Sequence, residues 1–571
     1  MKITKRNQEK TKKSGYKKIL KKVKKEVKGI TLIALVVTVI VLLILAGVTI
    51  NLTVGDNGLF KRAQNAVDTW QMAEENEQSE MEQATDFIDS YLTGINIEQV
   101  TDENPGILEI DEQNIDTYII NSIEDLVFFS YDVTTNGVTY EGKTVKLGTN
   151  LDFNSNKSYV DPNSTDYEKY GYSGPIKQAL ISGTGFKPIG ELISNGTKYF
   201  YGTFDGNNKA ICSLYINMKI DKTTCVGFFT TSYGEIKNLG LLNTNITVQV
   251  SQTNEGIGVY ADVGGLVADS YNNIYNCYIT GNIKGTISSW VTVGGICGAQ
   301  KQEENRIENC YNLANIQYKR TNDEDYKGSV GGSLGGIVGD GTNINKCYNA
   351  GNIIFDAGNN GFSIGGICGS TEKGGIVKNC YNLAKIEGST KDTKREIYIG
   401  GIVGASQLSS VLYCYNSGNI VGQGTNLMIA GIVARQSQND ITISNVFNIG
   451  KIDIEGNECY FGGGIIGVVT GNGTYHGNIY NSYNIGKISI ETPKSGIGSI
   501  AGTNWTSAMT YNNCCYLIGT YDAGVGGGND TGITELNSID EFPTVLNIVN
   551  EENVFEEDSN NINGGYPILI K

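Results

Sequence analysis

Ile364-Gly-Gly-Ile-Cys-Gly369, followed ten residues later by Asn379-Cys-Tyr-Asn382, is the stretch from which the fold is read. Both elements recur around it. Gly-Gly with apolar flanks appears at 263–267, 293–298, 334–339 and 399–404, with weaker copies at 429–433, 462–467 and 497–502. Relatives of Asn-Cys-Tyr-Asn appear at 276–278, 309–312, 346–349, 413–416, 445–448, 481–484 and 514–516. A third short apolar run follows within a few residues, as in Gly351-Asn-Ile-Ile354 and Gly418-Asn-Ile-Val421. Successive Cys-equivalent positions are spaced 33, 37, 33, 34, 32, 36 and 33 residues apart, so the motifs hold register while the loops between them vary. Each unit is about three short strands joined by Gly/Asn turns and cannot bury its apolar face alone, so the units must stack. The spacing predicts a mainly β fold, a parallel β-helix (β-solenoid). A propeller is the alternative, but its blades need four strands in about 40–45 residues.

These repeats resemble the GLUG motif of bacterial surface proteins over roughly 226–519. Upstream, Gly185-Phe-Lys-Pro-Ile-Gly190 and Phe200-Tyr-Gly-Thr-Phe-Asp-Gly206 resemble the first coils of adhesin-type β-helices. The resemblance implies a linker and N-terminal cap over 96–185, a solenoid over 186–520 and a C-terminal cap over 521–571. Caps are expected because a solenoid end leaves strand groups unpaired.

Composition agrees with a large packed body. Of 571 residues, 39% are hydrophobic and 18% charged, which excludes a disordered chain. Seventy-four glycines with only seven prolines and no Gly-X-Y period exclude collagen and point to many tight turns. His476 is the single histidine, so His-pair, His-Asp and two-His zinc chemistries are excluded. The formal charge of -16 is uneven. Residues 1–29 carry thirteen Lys/Arg against Glu9 and Glu26, a net of +11, which leaves -27 on the rest. An acidic body without a basic stripe argues against nucleic-acid binding.

The basic head is followed by Ile30–Ile50, 21 residues without a charge, long enough as a helix to span the ~30 Å hydrocarbon core. The positive-inside rule predicts a single-pass protein of the cell membrane, with the leader (1–29) cytoplasmic and everything after the span (30–50) outside. Residues 51–95 follow as a helical stalk, either continuing the membrane helix or standing as a separate solvated helix. Lys28-Gly29-Ile30-Thr31-Leu32-Ile33 resembles the processing site of type IV prepilins and pseudopilins. The resemblance implies cleavage between Gly29 and Ile30 by a prepilin peptidase, methylation of the new terminus, and pilin-like subunits as partners. Ala34 stands where that family usually carries Glu, the residue that pairs with a neighbour's terminal amine. This departure implies a minor or tip subunit of a pilus-like or pseudopilus assembly, or a membrane anchor outside any filament.

Several residues could carry function. Cys277, Cys310, Cys347, Cys380 and Cys414 share one register in which Val446 and Ser482 replace Cys without a partner disappearing, so a ladder of free, inward thiols is expected rather than disulfides. Asn312, Asn349, Asn382, Asn416, Asn448 and Asn484 are expected at the turns, in the left-handed region, bonded to backbone or to the next coil's Asn. Tyr278, Tyr311, Tyr348, Tyr381 and Tyr415 alternate with the inward Cys and form a candidate surface row, able to bind a glycan or to stabilise the sheet by stacking. Gly137–Thr144 satisfies the phosphate-loop pattern, but turn and strand residues follow where a helix is required. No catalytic residues, metal site or cofactor are assigned. The expected function is a non-enzymatic, surface-exposed adhesin-like protein meeting a glycan, host or matrix ligand. The alternative is a membrane-tethered β-helix enzyme that degrades polysaccharide.

Overall fold

The computed structural model describes residues 108–569 apart from 155–171, 173–175, 192–197, 252–258, 289, 322–330, 359–360, 392–394, 408, 438–440, 456–458, 471–476, 491–495, 505–508, 547–553, 559–562 and 564. The leader, the 30–50 span, the stalk and the Gly29/Ile30 site lie outside the described residues. No helix among the described residues is long and apolar enough to cross a membrane.

One coil shows the construction. Phe362–Gly365, Cys368–Lys378, Tyr381–Asn382 and Ile386–Ser389 follow one another, and the next coil repeats them as Ile397–Gly400, Val403–Gln407 with Ser410–Leu412, Tyr415–Asn416 and Ile420–Gln423. Each strand pairs in parallel with its equivalent one coil on: Ile364 with Ile399, Cys368 with Val403, Tyr381 with Tyr415, Ile386 with Ile420. The chain is therefore a parallel β-solenoid of about eight turns, and the propeller is not formed. Its Gly-Gly strands make one sheet of nine, from Thr224–Val226 to Ile497–Gly498. Inside each coil Ile364, Ile367, Cys368, Val377, Cys380 and Ile386 are fully buried, so stacking supplies the core that one coil lacks.

The two glycines of each pair have different tasks. A Cβ on the first, Gly365, would lie 1.9 Å from the Cys368 carbonyl oxygen, so the chain folds back against its own outer side and makes a re-entrant corner. A Cβ on the second, Gly366, would lie 2.0 Å from the Gly401 oxygen and 2.6 Å from Cγ of Asn382, across the core. Gly-Gly and Asn-Cys-Tyr-Asn thus recur together because they touch. The second glycine leaves the space that the asparagine amide fills.

That asparagine is where expectation and structure part. Asn312, Asn349, Asn382, Asn416, Asn448 and Asn484 are fully buried and outside the left-handed region. Each amide from Asn312 to Asn448 donates to the next coil's Asn Oδ1 at 2.7–2.8 Å, and each also donates to a carbonyl two residues on at 2.9–3.0 Å. The left-handed residue is instead the one before Cys: Asn276, Asn309, Lys346, Asn379, Tyr413, Asn445, Asn481 and Asn513, with φ of 48–56°. The thiols point inward as expected, and the eleven cysteines whose side chains are described are free and buried. Burial in this apolar interior pushes the thiols of Cys277, Cys347 and Cys414 well up, which keeps them inert. At the last coil Ser482 pairs with Cys514, so Cys514 continues the column, not Cys515; the final spacing is 32 residues.

Both ends are closed. At the N-terminal end the helix Ile123–Tyr131 begins at a capping box, where Ser122 Oγ accepts from Asp125 N and Asp125 Oδ2 accepts from Ser122 N. Phe129 from this helix packs edge-on against Phe200 and Tyr140 and beside Phe204 and Phe229, plugging the core. Parallel stacking already runs through Asn114–Ile120, Thr144–Leu147 and Thr203–Cys212, within and beyond the stretch assigned to the N-terminal cap. At the other end Ile533–Leu536 adds a further parallel strand, and Phe542 and Phe555 pack on the last rings of the tyrosine column. Residues 557–568 group apart; within them Asp558 Oδ2 accepts from Asn563 N and Gly565 N at 2.6 and 2.8 Å.

Candidate binding surfaces

The tyrosine row stands on the outside, one residue past the inward Cys. Tyr278, Tyr311, Tyr348, Tyr381 and Tyr415 are each half-buried, and Phe447 and Tyr483 extend the column. Neighbouring centroids lie 4.8–5.0 Å apart with ring planes within 5° of parallel. This is the sheet's own spacing, so every ring is sandwiched between its neighbours. A sugar stacks on an open ring face, and the interior rings of this column offer only edges and hydroxyls. Its first member, Tyr278, lies over the Gly240 backbone, where a Cβ would meet the ring at 2.4 Å. Burial also raises the Tyr278 hydroxyl to about 12, which keeps it neutral at physiological pH. The geometry is that of a stabilising stack.

The re-entrant corner makes a second surface, a groove along the outside of the solenoid. Two outward columns face each other across it. Cys225, Asp262, Thr292, Ser333 and Ser363 are in register on one wall, and Thr231, Asp269, Ala299, Asp340 and Ser370 on the other. Most of these side chains are small, and six of the ten are at most 9% exposed, so the groove is narrow along these five coils. Further on it is filled: Arg435 lies 4.9 Å over the Tyr398 ring and donates to its hydroxyl at 3.0 Å, while Met428, Phe461 and Val468 form an apolar cluster apart from the main core.

The first coils of the groove hold a cluster of charged groups. Lys301 Nζ lies 2.9 Å from Asp262 and 3.1 Å from Asp269, and the Cys225 thiol donates to Asp269 at 3.3 Å. Burial, and then the neighbouring Asp262 charge, push the Asp269 carboxyl up to about 8 despite Lys301. Burial opposes the charge on Lys301, but the two carboxyls outweigh it and hold the ammonium. Cys225, Asp262 and Asp269 converge closely enough to ligate a cation, yet Lys301 already supplies the positive charge there.

The sequence reading did not bring these residues together. Asp262 and Asp269 flank one Gly-Gly pair, and Lys301 belongs to the following coil; only the fold-back at the corner and the stacking register join them. A signal was present: charged residues at Asp262 and Asp269 interrupt columns that are otherwise mostly small in the coils that follow. The phosphate-loop pattern has no phosphate-binding geometry, since Thr144–Leu147 is a strand and Lys143 pairs with Asp116.

No family model matches the chain. It is 25% identical over 189 residues to halomucin of Haloquadratum walsbyi, a match covering 32% of this chain and 2% of that much longer protein. Among solved structures it is similar to a Bacteroides ovatus protein provisionally described as an immunoglobulin A1 protease, at 18% identity and a TM-score of 0.32, covering 80% of this chain and 93% of the other.

Proposed function

We propose that this chain is a membrane-anchored, surface-exposed, non-enzymatic adhesin-like protein, processed at Gly29 and carried as a minor or tip subunit of a type IV pilus-like or pseudopilus assembly. The observation that carries the reading is a long, stacked, end-capped solenoid placed after a prepilin-like leader and a 21-residue apolar span. Such a body presents side chains at fixed spacing and needs no moving parts. The match to a stretch of halomucin supports a surface protein. Ala34 supports a terminal or anchoring place over a shaft place, because the carboxylate that would reach a neighbour's amine is missing.

In intact cells, an epitope after Lys571 should be accessible to antibody from outside, and mass spectrometry should find Ile30 as the first residue, methylated. A cytoplasmic epitope would overturn the topology; an intact Met1 in cells with an active peptidase would overturn the processing. A second reading, a tethered polysaccharide-degrading enzyme, is favoured by one observation, the convergence of Asp262 and Asp269, with the Asp269 carboxyl raised by burial. Shortened products from a polysaccharide incubated with the purified chain would select it.

A further inference from the structure

We propose that the first coils of the outer groove form a binding site for a linear, uncharged glycan, with Trp290 and Tyr260 as its aromatic rim and Asp262, Asp269 and Lys301 as its polar floor. The inference deepens the adhesin reading and rests on it.

The rim follows from strand alternation. Tyr260 and Trp290 are paired in register and stand two residues before Asp262 and Thr292, so all four point to the groove side of the wall. Both aromatics are exposed, at 57% and 39%, unlike the sandwiched rings of the tyrosine column. Three indole atoms of Trp290 lie 2.8–3.3 Å from where a Gly331 Cβ would be, so the ring rests on the next coil while the residue stays 39% exposed. An exposed indole is what the C–H face of a sugar packs against. On the opposite wall Tyr233 and Tyr271 stack at 4.2 Å, two residues past Thr231 and Asp269.

The floor is unlike a structural ion pair in two ways. It holds two carboxyls for one ammonium, so acceptor capacity is left over after Lys301 is satisfied. Thr231, one coil before Asp269 in the same column, is 2% exposed, and its hydroxyl has no hydrogen-bond partner among the described residues. An unpaired buried hydroxyl is costly unless something else pairs with it. Sugar hydroxyls, each both donor and acceptor, fit this combination. Charge selects among glycans: the Lys301 ammonium at the floor is engaged by Asp262 and Asp269, and the chain beyond the leader carries -27, so a polyanion would be repelled. From Cys225 to Ser363 the small-walled stretch spans five coils, about 20 Å at ~4.8 Å per coil, which suits an extended chain rather than a single sugar.

The test uses the full chain in detergent micelles and linear hexasaccharides of β-1,4-linked glucose, mannose or N-acetylglucosamine, with a uronate hexasaccharide of the same length beside them. At least one neutral hexasaccharide should bind, and the uronate should not. Trp290→Ala and Asp262→Asn should each weaken binding about tenfold or more, a loss of about 1.4 kcal/mol. Tyr381→Phe, which removes a hydroxyl edge from the tyrosine column, should bind as the native chain does. Melting curves for all three should match the native chain's. Failure of every neutral hexasaccharide to bind, preferential binding of the uronate, or native-like binding by both groove variants would overturn the site. Release of shortened sugars would overturn a purely binding role. Epitope exposure on cells is independent of all four results, so the site can fail while the surface reading stands.

Discussion

The tyrosine face and the outer groove are built from the same coils yet differ in one respect. On the tyrosine face each position meets its own kind one coil away: ring on ring at 4.8–5.0 Å, amide on amide at 2.7–2.8 Å, thiol over thiol. In the groove the columns change from coil to coil, through Cys225, Asp262, Thr292 and Ser333 to Tyr398. Identity between neighbours suits stacking, because one geometry satisfies every contact. Variation does nothing for stacking and creates places that differ from one another. Stability in this protein resides where the repeat is strict, and local variety where it lapses.

The largest test of that division is Gly366→Ala. Its Cβ would overlap both the Gly401 oxygen and the Asn382 amide, neither of which is free to move in a stack, and a loss of about 3–4 kcal/mol is expected in denaturant titration. A loss below about 1 kcal/mol would mean that the glycine does not hold the amide ladder in place. Next comes Asn382→Leu. Asn349 would lose its acceptor and Asn416 its donor, both buried, at a cost of about 2–3 kcal/mol by the same titration.

The third test concerns pH. The Asp269 carboxyl is raised from 3.8 to about 8, so its folded form binds the proton more tightly than its unfolded form. Its contribution is complete below about pH 4 and is lost as pH rises through about 8. Native protein should therefore lose melting temperature between about pH 4 and 8 and level off above, and Asp269→Asn should flatten that decline. An unchanged slope would place the pH sensitivity elsewhere. The smallest effect is expected for Cys347→Val, which copies what Val446 already does three coils further along the same column, and should cost less than about 1 kcal/mol. A large loss would give the thiols a role beyond filling space.

Much of the strict region was readable from the residues. The Cys register, with Val446 and Ser482 as substitutes, told which side faces inward, and the alternation is the same in each coil: Cys380 in, Tyr381 out, Asn382 in. Followed one step past the tyrosine, that alternation already implies a buried asparagine, whereas the preference of Asn for turns points the other way. Strand geometry prevails because the neighbouring coil offers each amide a matching partner. The left-handed position was harder to find, because Lys346 and Tyr413 occupy it beside six asparagines and hide the preference. The groove was not readable. Gly-Gly signals a tight backbone but not the direction in which it folds, and the contact between Asp262, Asp269 and Lys301 depends on that direction together with the register of two coils.

Phe542 and Phe555 close one end of the tyrosine column, and Phe129 closes the core at the other. Between these stoppers the ladder residues of each coil meet their own kind, so on that face the middle is interchangeable in a way that the ends are not. A genetic duplication or loss of one whole repeat would leave both stoppers seated and every ladder continuous, while changing the reach of the body by about 4.8 Å. Length is therefore the property that unequal recombination alters most readily in a gene of this design, and the extent of the body is open to selection without the fold being remade.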